Sequence, residues 1–519
     1  MRAPPLPVSW SLLLLAAAAV LAGALARPYD LDRMVVWHDE VFTAVRVFGH
    51  SQAQVSREVF GARELSPAAL LAYQRPAPDK GWADTLAALE EHPEHAPLYY
   101  ALAWLATGLP VEPVTALRGT AALLGVLLVP AVFWLACELL RDRRAAWIAA
   151  ALVAVSPLHL LYAQEARQYA LWTVLIAAAS AAFLRARHRG EPSDWVLYAL
   201  LAALGLWSHA LTALALAAHG AYGVLTSRGR APLLSFLRGW GAALGLAVLL
   251  FAPWLWVMIA GADAVQSYTS WMQRPIPAER IFDAWGMHLV RVFADYPAAG
   301  RWLLLGLLPL AWVLWRLGRE APVRVTLFLG LLFAAFASAL LLPDLALGGS
   351  RSLHPRYVLP GFLALSLAAA WVLARGWDAP ERSRRVGARA GLVLVLALGL
   401  GSQWQILASE TWWSKNFSSE NRRIAARVNA AERPLVLGSD SGVGLGELIS
   451  LAYDLAPPVR IWGEPPGSGA RIPEGYASLF AVTPSGALRA QLEPSYRLVP
   501  VGGTWQWCEA LPRSTEGQP

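Results

Sequence analysis

Residues 115–162 read TALRGTAALLGVLLVPAVFWLACELLRDRRAAWIAAALVAVSPLHLLY, two long apolar runs separated by the charged residues Arg141–Arg144. A transmembrane helix needs roughly 20 consecutive, mainly apolar residues, and each run approaches that length. The sequence therefore predicts an all-α polytopic membrane protein with about eleven spans. The qualifying runs lie near 8–26, 115–139, 145–162, 168–184, 194–208, 209–226, 239–260, 301–317, 323–342, 357–374 and 390–408.

The composition agrees with a membrane protein and gives no sign of nucleic-acid binding. Of the 519 residues, 56% are hydrophobic and 15% are charged, whereas soluble proteins are nearer half apolar and about a quarter charged. The net charge of +7 comes mostly from arginines in short loops between apolar runs, and Lys80 and Lys415 are the only lysines. Cys137 and Cys508 are expected to lie apart, so we expect neither a disulfide nor a cysteine metal site.

Arginine-rich and arginine-poor loops alternate along the chain, and this sets the predicted orientation. Since cytoplasmic loops carry the excess of Arg, we place the arginine-rich loops in the cytoplasm and the chain after the first span outside. The apolar run Pro97–Leu109 is too short for a span, and we expect a juxtamembrane helix within one large outer loop, residues 27–114. The N-terminal run is typical of a cleavable signal peptide or an uncleaved helix, and its length favours the helix.

The chain becomes more polar after about residue 409, which indicates a second, external domain. Pro434–Gly438 and Val459–Trp462 are typical of strands, and Glu447–Asp454 is typical of a helix. Gly442–Gly446 lacks the spacing of a nucleotide-binding motif and is interpreted as a loop. We therefore predict a membrane domain over residues 1–408 and a small α/β domain over 409–519.

Two polar patches lie in the predicted outer loop. The first contains Asp39 and Glu40 just after the first span; adjacent carboxylates are also favoured at any helix N-terminus, and this plain alternative stays open. The second contains Glu94 and His95, followed by the short apolar helix. It could contribute to a metal site, although its spacing is not that of a strong metal motif, or it could be a solvated helix cap.

Two further patches lie where predicted spans begin or end at the outer surface. Glu165 and Arg167 join two spans with almost no loop, and ionisable groups at that depth are costly and indicate function. Arg356 and Tyr357 start a later span, where the guanidinium fork suits a lipid phosphate. The alternatives are a mutual ion pair in the first case and an interfacial anchor in the second. His209, at a predicted helix break, could face the same cavity.

These patches, in this order, resemble the bacterial members of the GT-C superfamily of membrane glycosyltransferases. The segments that carry the resemblance are the Asp-Glu pair, the start of the juxtamembrane helix, the Tyr-x-Gln-Glu-Ala-Arg-x-Tyr motif and the Arg-Tyr-x-Leu-Pro motif. They lie at 39–40, 95–100, 162–169 and 356–360. The motifs resemble those of protein mannosyltransferase-like and aminoarabinose-transferase-like enzymes, over roughly residues 1–375.

The resemblance implies an inverting transfer of a sugar from a polyprenyl-phosphate carrier at the outer face of the inner membrane. It makes Asp39 the catalytic or acceptor-positioning carboxylate with Glu40 as its neighbour, and it places His95 near the donor phosphate. One departure is Phe42, which stands where the aminoarabinose enzymes have an arginine. The residues that the resemblance then assigns to the phosphate and lipid are Arg167, Arg351, Arg356 and Tyr357, and those with supporting roles are Glu94, Gln164, Glu165, Tyr169 and His209.

The implied partners are the lipid-linked donor, membrane lipid, and an acceptor that could be a lipid, a cell-surface glycan or a protein hydroxyl. No cofactor is indicated, and a divalent metal requirement stays open. A transporter or flippase of lipid-linked sugars is the alternative from another class, and it predicts ionisable residues near mid-membrane and inverted repeats. The third alternative is an assembly subunit. It predicts that the outer polar residues can be replaced without loss of function.

Overall fold

The computed structural model describes residues 8–467, 469–501 and 504–513 and is mostly helical. The helices in chain order are α1 (Trp10–Ala26), α2 (His38–Val47), α3 (Gln52–Val59), α4 (Pro67–Leu71), α5 (Trp82–Glu90), α6 (Leu98–Ala106), α7 (Pro113–Val126), α8 (Leu128–Leu140), α9 (Arg143–Val155), α10 (Pro157–Ala163), α11 (Tyr169–Arg189), α12 (Pro192–Ser208), α13 (Thr212–Thr226), α14 (Arg230–Ala260), α15 (Ala262–Thr269), α16 (Ala278–Arg291), α17 (Leu307–Glu320), α18 (Val323–Leu347), α19 (Leu363–Trp377), α20 (Arg382–Ala408), α21 (Asn421–Ala430), α22 (Gly444–Ala452) and α23 (Gly486–Leu492). The strands are β1 (Glu64–Leu65), β2 (Pro434–Ser439), β3 (Arg460–Glu464), β4 (Ser478–Val482), β5 (Tyr496–Val501) and β6 (Thr504–Pro512).

Several helices have the length and composition of membrane spans, as predicted. Within the described residues there are six such segments, or seven if α9 and α10, which meet at a bend of 58°, form one broken span. Two shorter apolar helices, α1 and α19, add to these. The chain is thus a multi-pass membrane protein, and the count of eleven spans stays a prediction. The six segments are Pro113–Leu140, Tyr169–Arg189, Arg230–Ala260, Pro297–Glu320, Val323–Leu347 and Arg382–Ala408.

The chain forms two compact units, and both are discontinuous in sequence. The helical unit comprises the described residues up to Asp30, His92–Tyr99 and Arg118–Ala408. The sheet unit comprises Leu31–Glu91, Tyr100–Leu117 and the described residues from Ser409 onward.

Helix α9 lies at the centre of the helical unit. It packs against α1, α8, α19 and α20, and its six alanines are all buried. Small side chains let helix backbones approach closely, which is how helices associate where lipid offers no hydrophobic driving force between them.

A buried arginine that follows α1 forms hydrogen bonds with the end of α9. Arg27 is fully buried, and its guanidinium donates hydrogen bonds to the carbonyl oxygens of Val153 and Ala154, at 3.2 and 3.0 Å. These carbonyls belong to the last turn of α9, where intrahelical donors run out. The contact requires Gly23 on α1, because a Cβ atom there would lie 2.1 Å from the oxygen of Ala154.

We expect Gly23→Ala to destabilise the protein, although alanine is normally the better helix former by about 1 kcal/mol. The added methyl group would push α1 off α9, and overpacking of this kind costs about 1–3 kcal/mol. Thermal unfolding of the purified protein in detergent would show the lower midpoint. Gly241→Ala in α14 is the matched control, since nothing lies within 4 Å of its Cβ position; equal midpoints for the two variants would contradict the close contact.

A six-stranded sheet organises the other unit, in the order β1-β3-β2-β4-β6-β5. The central strand β2 runs parallel to β3 and β4, and the outer pairs are antiparallel. Alternate residues of β2 face opposite sides: Val436 packs in a core with α2, α21 and α22, whereas Leu435 and Leu437 pack in a second core with α23.

Strand β1 shows how the structure differs from the predicted domains. It comes from the predicted outer loop, yet it pairs with β3, and Glu64 lies opposite Trp462. The sheet unit therefore combines part of the segment 27–114 with the segment after 408, whereas the sequence placed the two in separate domains. A pairing between residues so far apart in the chain leaves no local signal.

Several predicted elements are confirmed. The break after Ser208 separates α12 from α13, α6 occupies most of Pro97–Leu109, and β2, α22 and β3 lie close to the predicted strand, helix and strand. The loop predicted over Gly442–Gly446 is wrong for its last three residues, because α22 begins at Gly444. The placement of α6 on the membrane surface stays a prediction.

Candidate active-site residues

The predicted site residues fall in both units, and each group is described within its own unit. Asp39 and Glu40 belong to the sheet unit. The remaining candidates belong to the helical unit; they are Glu94, His95, Gln164, Glu165, Arg167, Tyr169, His209, Arg351, Arg356 and Tyr357.

Asp39 lies in the first turn of α2. Two backbone N–H groups just before it, those of Trp37 and His38, donate hydrogen bonds to side chains. The Glu40 carboxylate accepts a hydrogen bond from the N–H of Trp37 at 3.4 Å, the half of a capping box that the N3 residue supplies. The N–H of His38 donates to the Ser418 hydroxyl at 3.1 Å. Asp39 itself is half-buried, and the residues on both sides of it, His38 and Glu40, are hydrogen-bonded.

Glu40 forms a buried ion pair that the sequence did not reveal. The Lys415 ammonium lies 3.0 Å from the Glu40 carboxylate, and both side chains are only 2% exposed. The ammonium also lies 5.4 Å from the centre of the Trp37 ring, in cation–π range. Lys415 is one of two lysines in an arginine-dominated chain, and that rarity was the one available signal.

We expect Lys415→Met to destabilise the sheet unit strongly. Removing one partner of a buried ion pair leaves a buried charge without this counterion, which costs about 3–5 kcal/mol. Thermal unfolding should show a large fall in the midpoint. Lys80→Met is the control, since Lys80 is partly exposed and 3.6 Å from Asp84, and such surface pairs contribute about 0–1 kcal/mol. Similar midpoints for both variants would refute the assignment.

A second buried carboxylate is linked to the start of α2. Ser418, which accepts from the His38 N–H, donates to Glu447 at 2.6 Å. Burial raises the pKa of Glu447 to about 7, although hydrogen bonds from Ser418 and Asn421 oppose the shift. Glu447 therefore changes charge near neutral pH, two hydrogen bonds away from the turn that carries Asp39.

This raised pKa predicts a pH-dependent stability. Between about pH 4.5 and pH 7 the unfolded chain loses the Glu447 proton while the folded chain keeps it, so stability falls as pH rises through that window and levels off above it. Across the whole window, this pKa shift lowers the free energy of unfolding by about 3 kcal/mol. Glu447→Gln should remove this slope from melting points measured across the window, whereas Glu432→Gln, at an exposed position, should keep it. An unchanged slope in Glu447→Gln would contradict the assignment.

In the helical unit, a sharp bend between α9 and α10 comes shortly before the predicted Gln-Glu-Ala-Arg segment. Pro157 starts α10 at its first position, where its fixed φ and missing N–H are tolerated, and α10 departs from α9 at 58°. The link between α10 and α11 begins with Gln164, whose amide donates to the carbonyl oxygens of Ala26, Arg27 and Tyr29, at 2.9–3.1 Å. Gln164 thus anchors the chain that leaves α1.

Two buried arginines converge on one tyrosine ring in this unit. The guanidinium carbons of Arg167 and Arg356 lie 5.7 and 5.9 Å from the centre of the Tyr169 ring, and Arg356 also lies 5.2 Å from the Tyr357 ring. Both arginines are at least nine-tenths buried, and Glu165 is fully buried. Two guanidinium groups beside the same ring place positive charge in surroundings of low dielectric, which favours an anion.

His209 completes the aromatic wall of this cluster. Its ring centre lies 6.2 Å from that of Tyr169 and 6.1 Å from that of Tyr357, and it stacks on Trp172 at 4.4 Å. Its Nδ1 accepts a hydrogen bond from the Leu211 N–H at 3.2 Å, which assigns the proton of the neutral ring to Nε2. The sequence did not single out Trp172, because an indole in an apolar helix gives no signal of its own.

The structure gives Arg351 a different environment from that of Arg356. Arg351 lies 3.0 Å from the carboxylate of Asp344, whose side chain is buried. That carboxylate also accepts from the backbone N–H groups of Arg351 and Ser352, at 3.2 and 2.7 Å. These contacts shape the turn between α18 and α19.

Glu94 lies between two histidines. One of its carboxylate oxygens is 3.4 Å from His92 Nδ1 and 3.6 Å from His95 Nε2, and the His92 ring packs on Tyr268 at 3.9 Å. Among the described residues, no group of three or more His, Cys, Asp or Glu has the arrangement of a metal site.

Comparisons with known proteins identify both a sequence match and a fold. Residues 93–257 match the model of the family described as dolichyl-phosphate-mannose-protein mannosyltransferase. No curated protein sequence matches the chain.

Two solved structures show the fold, with TM-scores above 0.5, and a third is less similar. ArnT from Cupriavidus metallidurans bound to undecaprenyl phosphate has 13% identity and a TM-score of 0.54, covering 99% of this chain and 100% of that one. Its apo state has 14% identity and a TM-score of 0.53, covering 96% and 97%. The archaeal oligosaccharyltransferase AglB from Archaeoglobus fulgidus has 12% identity and a TM-score of 0.49, covering 98% and 75%. The resemblance in fold to the GT-C membrane glycosyltransferases is therefore confirmed, and the sequence match to the protein mannosyltransferase model covers residues 93–257.

Proposed function

We propose that this chain transfers a sugar from a polyprenyl-phosphate carrier to an acceptor at the outer face of a bacterial inner membrane. The observation that carries the proposal is the pair of buried guanidinium groups, Arg167 and Arg356, over the ring of Tyr169. A phosphate group is a natural ligand of guanidinium forks, which match its oxygens with two N–H donors each.

The comparisons support a lipid-linked donor. ArnT, whose fold this chain shares, was solved bound to undecaprenyl phosphate, and the matched family is described by a dolichyl-phosphate sugar. In both cases a phosphate joins an isoprenoid chain that must lie among apolar helices. The phosphate of such a carrier would bind the guanidinium groups of Arg167 and Arg356, with the rings of Tyr357 and His209 beside it.

The proposed reaction is a single displacement that inverts the configuration at the anomeric carbon of the sugar. The acceptor hydroxyl oxygen bonds to the anomeric carbon as the bond from that carbon to the phosphate oxygen breaks, and the phosphate leaves with the electron pair. Arg167 and Arg356 stabilise the negative charge that develops on the phosphate. Asp39 takes the hydroxyl proton as general base.

The other candidates receive supporting roles in the proposal. Glu40 positions the first turn of α2 through Lys415, so we assign the reacting carboxylate to Asp39 alone. His95, when protonated, is a further cation for the phosphate, with Glu94 as its counterion. Arg351 and Gln164 shape the chain near the arginine pair.

The test is a transfer assay on membranes that contain the protein. The membranes are incubated with a panel of radiolabelled polyprenyl-phosphate sugars, and the label is followed into lipid, glycan and protein fractions. Transfer by the unmutated protein, but not by the Asp39→Asn protein, would establish the activity and identify the donor and the acceptor class. The external segment after residue 408 would then be a candidate for acceptor recognition.

The same assay separates the alternative function. A transporter would move the intact sugar-lipid to the other leaflet without transferring the label. That result, with no transfer from any donor of the panel, would overturn the glycosyltransferase proposal.

A further inference from the structure

A groove runs between α17 and α20 of the helical unit, with α19 as its floor. Both α17 and α20 pack on α19, and the cavity between them has a volume of about 410 Å³. That volume lies within the roughly 300–1,000 Å³ typical of ligand sites. Its walls are mostly apolar, and the side chains of Trp312 and Leu394 on its rim are 52% and 60% exposed.

One end of the groove carries positive charge. Arg316 on α17 and Arg384 on α20 each lie 2.7 Å from a different oxygen of Glu320, and both arginines line the cavity. Two cations and one carboxylate leave a net positive charge. Each guanidinium has five N–H donors. The single Glu320 carboxylate cannot accept hydrogen bonds from all the donors of the two arginines.

The same end coincides with the start of α20. Ser383 also lines the cavity, and it is the second residue of this 27-residue helix. The first N–H groups of a helix have no partner within the helix, and the helix dipole is positive there. The hydroxyl, the amides and the two arginines all favour a phosphate at this position.

The groove is separate from the arginine pair of the proposed active site. Arg356 lies before the start of α19 at Leu363, whereas the floor of the groove extends to Gly376 near the end of α19. At 1.5 Å per residue, the 363–376 stretch of α19 spans about 20 Å. The two clusters of positive charge therefore lie toward opposite ends of one helix.

We propose that the groove binds an anionic phospholipid of the surrounding membrane. Its acyl chain lies along the apolar walls, and its phosphate contacts Arg316 and Arg384. Basic pockets between transmembrane helices recognise anionic head groups in this way. The net positive charge favours a lipid with net negative charge over a zwitterionic one.

The test is native mass spectrometry of the full-length protein, purified in mild detergent. Phosphatidylglycerol, phosphatidylethanolamine with the same acyl chains, and undecaprenyl phosphate are added in equal amounts. Phosphatidylglycerol should be retained preferentially. Arg316→Gln and Arg384→Gln should each weaken its retention by about tenfold, the effect of one lost charge-assisted hydrogen bond, whereas Arg280→Gln, at an exposed position, should not.

A second variant blocks the groove without touching a charge. Nothing lies within 4 Å of a Cβ atom built on Gly387, which lines the cavity, so Gly387→Leu should fill the groove, favour the helix and abolish phosphatidylglycerol retention. Gly330→Leu on α18 also adds a side chain in open space but does not line the groove, and it should retain the lipid.

Three outcomes would overturn the proposal. Equal retention of the two phospholipids would remove the charge argument. Equal retention by Gly387→Leu and Gly330→Leu would place the lipid elsewhere. Displacement of undecaprenyl phosphate, rather than phosphatidylglycerol, by Gly387→Leu would assign the groove to an isoprenoid lipid.

Discussion

Membranes that carry the Asp39→Asn protein are expected to transfer sugar about 10²–10⁴-fold more slowly than membranes with the unmutated protein, the usual contribution of a general base. The amide has the size of the carboxylate but cannot accept the hydroxyl proton. Because Asp39 lies on a turn held by Glu40 and Ser418, the fold should survive the change. Initial rates with saturating donor would measure the loss in kcat.

The matched control is Asp79→Asn, at an exposed position of the same unit, which should transfer at the normal rate. Expression and melting temperature of both variants should equal those of the unmutated protein. Near-normal transfer by Asp39→Asn would eliminate Asp39 as the base and return Glu40 to consideration.

Arg356→Gln is expected to lower transfer by about 10²–10³-fold, as loss of one donor to a developing oxyanion does elsewhere. The glutamine keeps polarity but removes the positive charge that faces the rings of Tyr169 and Tyr357. Arg356→Lys should recover only part of the rate, since an ammonium lacks the planar fork that matches a phosphate. Rates measured over a range of donor concentrations would separate the effects on kcat and KM.

Arg280→Gln, at an exposed position of the helical unit, is the control for loss of charge and should leave both parameters unchanged. If Arg356→Gln raised KM and left kcat intact, Arg356 would bind the donor without stabilising the transition state. A fully active Arg356→Gln protein would refute the phosphate site.

The sequence alone predicted the local elements of this protein well. The apolar runs gave the long helices, the polar break after Ser208 gave the gap between α12 and α13, and the Asp-Glu pair marked the first turn of α2. Each of these depends on neighbours a few residues apart, through the length of an apolar run or the chemistry of a helix end.

The tertiary structure decided which side chains meet. Lys415 with Glu40, Asp344 with Arg351, and the arginine pair around Tyr169 are contacts whose partners give no reciprocal signal in the sequence. The difference matters for the proposed mechanism, which gives Glu40, already paired with Lys415, a positioning role and assigns the general base to its neighbour Asp39.

The sequence by itself determined that the chain is a helical membrane protein, where its helices break, and which polar segments are candidates for a functional site. Only the tertiary structure decided that Glu64 pairs into the sheet of the C-terminal segment and that α17 and α20 leave a groove over α19. The physical reason is that hydropathy and capping act within one segment, whereas strand pairing, ion pairing and cavities depend on the distance between segments far apart in the chain.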